Sequence, residues 1–359
     1  MARNARALAG LCAHVEQQGD WDAWLAHLRS GTLRAEQSDD RFTCAELCLW
    51  TGLVSRALGD YDEARRWFGK SAVHYRSLGH EVQVANVLHR LAWTERLVGK
   101  LEEAQRLAEE ALGHLVGPED DVALERARSY AILGAVAGDR GEWALAESFY
   151  RQVLQIPQLS SDTMRLAWGH TDLGISLSRQ EKFEDALVHF RTAQQILATI
   201  DAPVQMAVLQ MNLAATYLHM DLPAEAQPLC QQAAPTLERV QDLRRLIMVE
   251  TNAGIARGEL GELDQAEREL ESAVSRAERL GHHGLYVNAL EQLGLVYRDA
   301  GRDLEARAVF QRAFRRLERL PESAARTEYE RNLRAYLHAA TVKPEDGQEA
   351  RREQVRSRP

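Results

Sequence analysis

The stretch "ALGDYDEARRWFGKS", residues 57–71, places a glycine inside a run of strong helix formers. In the interior of a helix, Gly59 would cost about 0.5–1 kcal/mol relative to alanine, so one uninterrupted helix explains the stretch poorly. The same motif, a glycine followed five positions later by an alanine, returns along the chain. Its five clear copies are Gly59–Ala64, Gly99–Ala104, Gly141–Ala146, Gly261–Ala266 and Gly301–Ala306.

The spacing of this motif is regular. Degenerate copies complete a series of eight anchor positions that are 40 residues apart, except for one step of 42. A fixed period of this length indicates one array of repeats over residues 1 to about 320, and not several globular domains. The anchors are Trp24, Ala64, Ala104, Ala146, Ala186, Ala226, Ala266 and Ala306.

Two further columns define what one repeat is. The residue 12 positions before the anchor is always small, and the residue four positions after it is usually large and apolar. Each repeat therefore predicts two amphipathic helices that approach closely at the small residue, with a break at the glycine. The small column is Cys12, Gly52, Ala92, Gly134, Gly174, Ala214, Gly254 and Gly294; the second column is Leu28, Phe68, Ala108, Tyr150, Phe190, Cys230, Leu270 and Phe310.

The last repeat shows the pattern most fully, through Leu293, Gly294, Tyr297, Gly301, Ala306, Phe310 and Ala313. With these residues the sequence resembles the tetratricopeptide repeat family. Its period exceeds the usual 34 residues, so it is similar to the long-repeat arrays of spindle-orientation adaptors and of bacterial regulators that resemble the maltose-operon activator. The resemblance implies an all-α fold: a right-handed α-solenoid of eight helix-turn-helix repeats with a C-terminal capping helix.

The two ends of the chain differ from the repeats. Residues 322–341 predict the capping helix, in which Arg334 occupies the small column and would block a further helix. We therefore expect residues 1–341 to form a single superhelix. Residues 342–359 are highly charged and lack aromatic residues, so we expect a disordered tail.

Composition excludes several classes of function. A net charge of −9 argues against non-specific nucleic-acid binding, and the chain has no apolar run of about 18 residues that would span a membrane. Its four cysteines lack metal-site spacing and suit a reducing compartment, so we expect a cytoplasmic protein. The common nucleotide, hydrolase and zinc motifs are missing. The sequence therefore predicts no enzyme activity, no cofactor and no metal; the oligomeric state is left open.

The candidate binding surface follows from the resemblance, which implies that residues 18, 15, 14 and 11 positions before each anchor line the concave groove. The position at 14 forms a polar ladder in the last four repeats: Asp172, Asn212, Asn252 and Gln292. The position at 18 adds Trp168 and Asn288. Amide side chains of this kind bind the main chain of an extended peptide, or they bond neighbouring helices; the sequence leaves both open.

Upstream, basic and aromatic residues gather in three consecutive repeats. They suit an acidic or aromatic residue of a partner, although Glu46 and Glu95 are expected to neutralise part of the charge. Trp93 lies in a column that is apolar in every repeat, so a role in the core is the alternative for it. The residues are Arg56, His89, Arg90, Trp93, Arg96 and Arg128, with Trp50 nearby.

These features predict a non-enzymatic scaffold that binds an extended peptide or a helix of a protein partner in the groove. The alternative is a ligand- or peptide-sensing module of a bacterial transcriptional or signalling regulator, with a small molecule as a further candidate effector. Neither nucleic acid nor a membrane is an expected partner.

Overall fold

The computed structural model describes residues 21–117, 119–320 and 324–339. Over these ranges the chain consists of helices joined by short connections, without a β-strand. None of these helices combines the length and the apolar character that a membrane span requires. The first helix of the first repeat, its predicted end near Gly19 and the predicted tail at 342–359 lie outside the described residues.

The chain forms two compact units, Met1–Ile196 and Leu197–Pro359. Among its described residues, which begin at Trp21, the first contains eight α-helices and one 3-10 helix, Pro157–Ser161, and a ninth α-helix ends at the boundary. These helices are α1 (Trp21–Gln37), α2 (Arg41–Ala57), α3 (Tyr61–Ser77), α4 (Glu81–Leu97), α5 (Leu101–His114), α6 (Asp120–Asp139), α7 (Trp143–Leu154), α8 (Thr163–Ser178) and α9 (Phe183–Leu197).

The second unit repeats the same alternation of first and second helices. It also contains a short 3-10 helix, Leu317–Arg319, before the last α-helix. Its α-helices are α10 (Pro203–His219), α11 (Pro223–Arg239), α12 (Leu243–Glu259), α13 (Leu263–Leu280), α14 (His283–Asp299), α15 (Asp303–Arg316) and α16 (Ala324–Ala339). The predicted all-α fold of helix-turn-helix repeats is confirmed; a single superhelix over residues 1–341 stays a prediction.

The motif glycines end the first helices, as the sequence predicts. Gly59, Gly99, Gly141, Gly261 and Gly301 all have φ between 73° and 82°, a conformation that a β-carbon disfavours. The degenerate repeats adopt the same left-handed turn without glycine, at Glu181 with φ 61° and at Asp221 with φ 57°. The backbone geometry of the turn is therefore more regular than the sequence that encodes it.

The anchor residues pack as the small-residue columns predict. All seven anchor alanines are at most 3% exposed, because each lies where the two helices of a repeat cross closely. The large residue four positions later fills the remaining space, as Phe68, Phe190 and Phe310 do with 2% exposure or less.

Aspartates begin several of the first helices. The side chains of Asp40, Asp162 and Asp242 accept hydrogen bonds of 3.0–3.2 Å from the backbone N–H three residues later. Such caps satisfy donors that a helix N-terminus leaves unpaired. Asp60 does the same for the second helix α3, with a bond of 3.0 Å.

Two connections in the first unit are longer than most. The 42-residue step is accommodated between α5, which ends at His114, and α6, which begins at Asp120. After α7 the chain forms the 3-10 helix Pro157–Ser161, whose Leu159 is buried. The sequence analysis did not anticipate this turn, which begins at a proline and shortens α7 to 12 residues.

The capping helix α16 closes the second unit as predicted. Leu333 is fully buried, and the ring of Tyr336 stacks on Phe310 with 4.9 Å between ring centroids. Arg334 is exposed: its guanidinium pairs with Glu330 and lies 5.9 Å from the centre of the Phe314 ring. The charged residue in the small column therefore points away from the core.

Candidate functional site

In the first unit, the first helices α2, α4, α6 and α8 present one shared face. Contacts across this face link consecutive repeats. Arg165 on α8 donates a hydrogen bond of 2.9 Å to the backbone oxygen of Leu124 on α6. Asn86 on α4 donates a longer bond, 3.4 Å, to the carboxylate of Glu125 on α6. These two hydrogen bonds connect α6 to the first helices on either side of it, α8 and α4.

Four arginines from these four helices form a cluster: Arg56, Arg90, Arg128 and Arg165. Burial lowers the pKa of Arg56, Arg90 and Arg128 from its usual value. The neighbouring cations Arg56 and Arg165 lower the pKa of Arg90 further. The cations Arg90 and Arg165 do the same for Arg128. The arginine cluster thus concentrates positive charge in a partly buried place on a chain whose net charge is −9.

The acidic residues expected to neutralise this charge are engaged elsewhere. Glu95 forms an ion pair with Arg65 on the second helix α3, at 2.5 Å, and Glu46 accepts a hydrogen bond from the hydroxyl of Tyr75. The carboxylates that do lie within the cluster are Glu125, 2.9 Å from Arg128, and Asp162, 3.2 Å from Arg165. The repeat columns gave no indication of Glu125 or Arg165, since each lies 21 positions before its anchor, outside the four columns.

His89 is a correction to the candidate set. It is 1% exposed: its Nδ1 lies 3.0 Å from Glu125 and its Nε2 lies 2.6 Å from the hydroxyl of Ser129. Burial lowers the pKa of this imidazole, which favours its neutral form. His89 therefore holds α4 against α6 and does not reach a partner.

Two tryptophans on this face are open to solvent. Trp93 on α4 is 38% exposed and Trp168 on α8 is 50% exposed. The guanidinium of Arg96 lies 4.8 Å from the ring centre of Trp93 and forms a two-pronged ion pair with Asp139, at 2.6 and 2.9 Å. Trp93 is thus a surface residue held by a paired arginine, and the charge of Arg96 is already balanced.

Asp172, the first residue of the polar ladder, is partly buried on α8. Burial raises the pKa of its carboxyl group to about 7, and the cation of Arg96 only partly opposes this. No side chain of the described residues donates a hydrogen bond to this carboxylate. Its protonation state therefore changes near neutral pH.

The other ladder residues belong to the second unit, where all are partly buried. Asn212 donates a hydrogen bond of 2.9 Å to the backbone oxygen of Val208 on its own helix, and Asn252 donates a longer one, 3.4 Å, to Met211 on the previous first helix. Gln292 and Asn288 make no side-chain hydrogen bond to the described residues. Asn252 thus bonds a neighbouring helix, as the second alternative expects, whereas Asn212 bonds only its own helix.

Metal ligands do not gather on this surface. Within the described ranges, no three His, Cys, Asp or Glu side chains lie close enough together to hold a metal ion.

Comparison with known proteins agrees with the repeat geometry. The family model of the tetratricopeptide repeat matches residues 46–114 and 245–319, which contain the clearest glycine–alanine motifs. In these two segments the chain has the sequence pattern of the tetratricopeptide repeat. Between the matched segments lie the clear copy Gly141–Ala146 and the degenerate motifs that end at Ala186 and Ala226.

Curated relatives share part of their length with this chain. The mitochondrial tetratricopeptide repeat protein 19 of Rattus norvegicus is 28% identical over 184 residues, which are 48% of this chain and 45% of the relative. The chain therefore spans about half the length of the curated relatives that it matches.

Solved structures share the fold at low sequence identity. The tetratricopeptide repeat sensor protein PH0952 of Pyrococcus horikoshii, a signal transduction ATPase with numerous domains, has a TM-score of 0.59 at 12% identity, over 94% of this chain and 52% of that one. A Rap protein complexed with Competence and Sporulation Factor has a TM-score of 0.54 at 16% identity, over 76% of this chain and 75% of that one. At these identities the likeness concerns the fold alone.

Proposed function

We propose that this tetratricopeptide repeat protein is a non-catalytic, cytoplasmic scaffold, and that its first-helix face binds an extended peptide or a helix of a protein partner. One observation carries the proposal: Trp93 and Trp168 remain 38% and 50% exposed on the face that holds the arginine cluster. Tryptophan and arginine are the residues that most often dominate binding energy at protein interfaces.

The helix register supports this reading of the two tryptophans. Trp93 follows Arg90 by three residues, and Trp168 follows Arg165 by three, so each ring lies one turn beyond an arginine of the cluster. A partner that covers the rings would bury apolar surface while its acidic or aromatic groups meet the guanidinium groups.

Selection from a phage-displayed library of random peptides, followed by affinity measurement on the enriched peptides, tests the proposal. The Trp93→Ala, Trp168→Ala double variant is expected to bind them at least about tenfold more weakly, as hot-spot tryptophans do. Val73→Ala is the matched control, because Val73 is 62% exposed on the second helix α3. Equal affinity of the double variant and the control would show that the first-helix face is not the binding site.

A ligand-sensing role is the second candidate. Two structural neighbours motivate it, one titled as a tetratricopeptide repeat sensor and the other as a complex with Competence and Sporulation Factor. A thermal-shift screen with a metabolite library separates the two: stabilisation by a small molecule, with no peptide enriched on display, favours sensing over the scaffold.

A further inference from the structure

The arginine cluster has more cations than carboxylates. Arg128 lies 2.9 Å from Glu125, and Arg165 lies 3.2 Å from Asp162. Neither Arg56 nor Arg90 has a carboxylate within ion-pair distance among the described residues. Two guanidinium groups therefore remain without a counter-ion in a partly buried position.

Two buried hydrogen-bond donors, the Nε of Arg90 and the indole Nε1 of Trp50, have no acceptor among the described residues. Trp50 occupies on α2 the repeat position that Arg90 occupies on α4, one repeat later. Buried donors in folded proteins are nearly always satisfied, so the unpaired Nε of Arg90, an arginine without a carboxylate at ion-pair distance among the described residues, indicates that a bound group supplies the acceptor.

We propose that Arg56 and Arg90 bind a compact doubly negative group of the partner peptide, either a phosphorylated side chain or two adjacent carboxylates. The inference rests on the proposed function, because the group reaches the cluster as part of a peptide on the first-helix face. The half-exposed Trp93, one turn after Arg90, supplies apolar contact beside this group.

The chemistry of the two arginines fits this ligand. A guanidinium offers a planar fork of N–H donors that matches the oxygens of a carboxylate or a phosphate. Two unpaired guanidinium groups balance the charge of a phosphate monoester, which is about −1.5 to −2 at neutral pH. Glu125 and Asp162 already neutralise the other two arginines of the cluster.

The test uses the full chain and three fluorescent peptides that differ at one central site: a phosphoserine, a pair of glutamates, or a pair of glutamines. Wild type is expected to bind at least one charged peptide about tenfold or more tightly than the neutral one. Arg56→Gln, Arg90→Gln should abolish this preference. The control Arg66→Gln, Arg191→Gln removes the same charge from exposed positions on the second helices and should preserve it.

Each result decides the inference. A preference for phosphoserine or for glutamates identifies the source of the negative charge. Equal binding of all three peptides overturns the inference but leaves the proposed function intact. An equal loss of the preference for charged peptides in both double variants shows a general charge effect and also overturns the inference. If the glutamine variant does not fold, Arg56→Lys, Arg90→Lys retains the charge but lacks the fork, and it should lose most of the preference.

Discussion

The ring of Phe190 occupies the space that a β-carbon on Gly174 would need. A β-carbon built at Gly174 lies 2.7 Å from Cε1 of Phe190, much closer than real contacts allow. The same relationship joins Gly52 to Phe68 and Gly134 to Tyr150, at 2.7 and 2.8 Å. The small column and the large column of the sequence are therefore two sides of one contact in the repeats whose small residue is glycine.

Gly174→Ala is consequently expected to destabilise the protein. The added methyl group must displace the buried ring of Phe190, and overpacking of this kind costs about 1–3 kcal/mol. The urea midpoint of unfolding, with an unchanged slope, measures the effect. Gly69→Ala is the control, since nothing lies within 4 Å of its β-carbon position inside α3. There alanine should stabilise the helix by about 0.5–1 kcal/mol, and equal midpoints for both variants would refute the close contact.

Asp172→Asn is expected to change how stability depends on pH. The pKa of Asp172 is about 7 in the folded chain and about 3.9 in an unfolded one, so the folded state holds this proton more tightly. The contribution of Asp172 to stability therefore falls as pH rises from about 4 to about 7 and stays low above that. The variant should equal wild type near pH 4 and exceed it by about 1–3 kcal/mol near pH 8.

Urea unfolding of both proteins across this pH range checks the prediction. Asp201→Asn is the control for the substitution itself, because Asp201 is exposed in the connection before α10. A constant difference between Asp172→Asn and wild type at all pH values would show that the carboxyl group does not titrate near neutrality.

Glu181→Gly is expected to stabilise the protein, against the usual effect of glycine. Glu181 has φ 61°, a left-handed conformation that costs a residue with a β-carbon about 1–2 kcal/mol, partly offset by the larger entropy of unfolded glycine. We expect a net gain of up to about 1 kcal/mol in thermal or urea unfolding. Glu184→Gly, three residues later inside α9, should instead lose about 0.5–1 kcal/mol. A loss in both variants would mean that the turn is not strained.

The turn at Glu181 also shows how far the sequence predicts this fold. The glycine–alanine motif located the described breaks at its five glycines, and the same turn forms at Glu181 and Asp221, where glycine is missing, because a helix pair can pack on its neighbour only if its connection keeps the same geometry. The 3-10 helix Pro157–Ser161 was not predicted, because it lies between repeats, where no column of the repeat restricts the sequence.

The candidate site was less accessible to sequence reasoning. The four arginines of the cluster occupy a different position in each repeat, so no single column contains them. Relative to their anchors they lie 8, 14, 18 and 21 positions earlier, at Arg56, Arg90, Arg128 and Arg165. His89 and Arg90 are neighbours in sequence, yet one is buried against Glu125 and the other has an unpaired Nε. Which of two adjacent polar residues meets the next helix depends on side-chain packing, which the repeat period does not encode.

The ladder of the second unit yields the last prediction, in which two neighbouring amides should behave differently. Asn252 donates its hydrogen bond to the backbone of Met211, one repeat earlier, whereas Gln292 makes no such bond to the described residues. Asn252→Ala should therefore lower the free energy of unfolding by about 0.5–1.5 kcal/mol, the usual contribution of a hydrogen bond, and leave peptide affinity nearly unchanged. Gln292→Ala should leave stability within about 0.5 kcal/mol of wild type. It should weaken the binding of peptides selected on display if this amide binds their main chain. Urea unfolding and fluorescence titration on both variants separate the roles. A Gln292→Ala variant that binds as wild type does would remove this amide from the binding site.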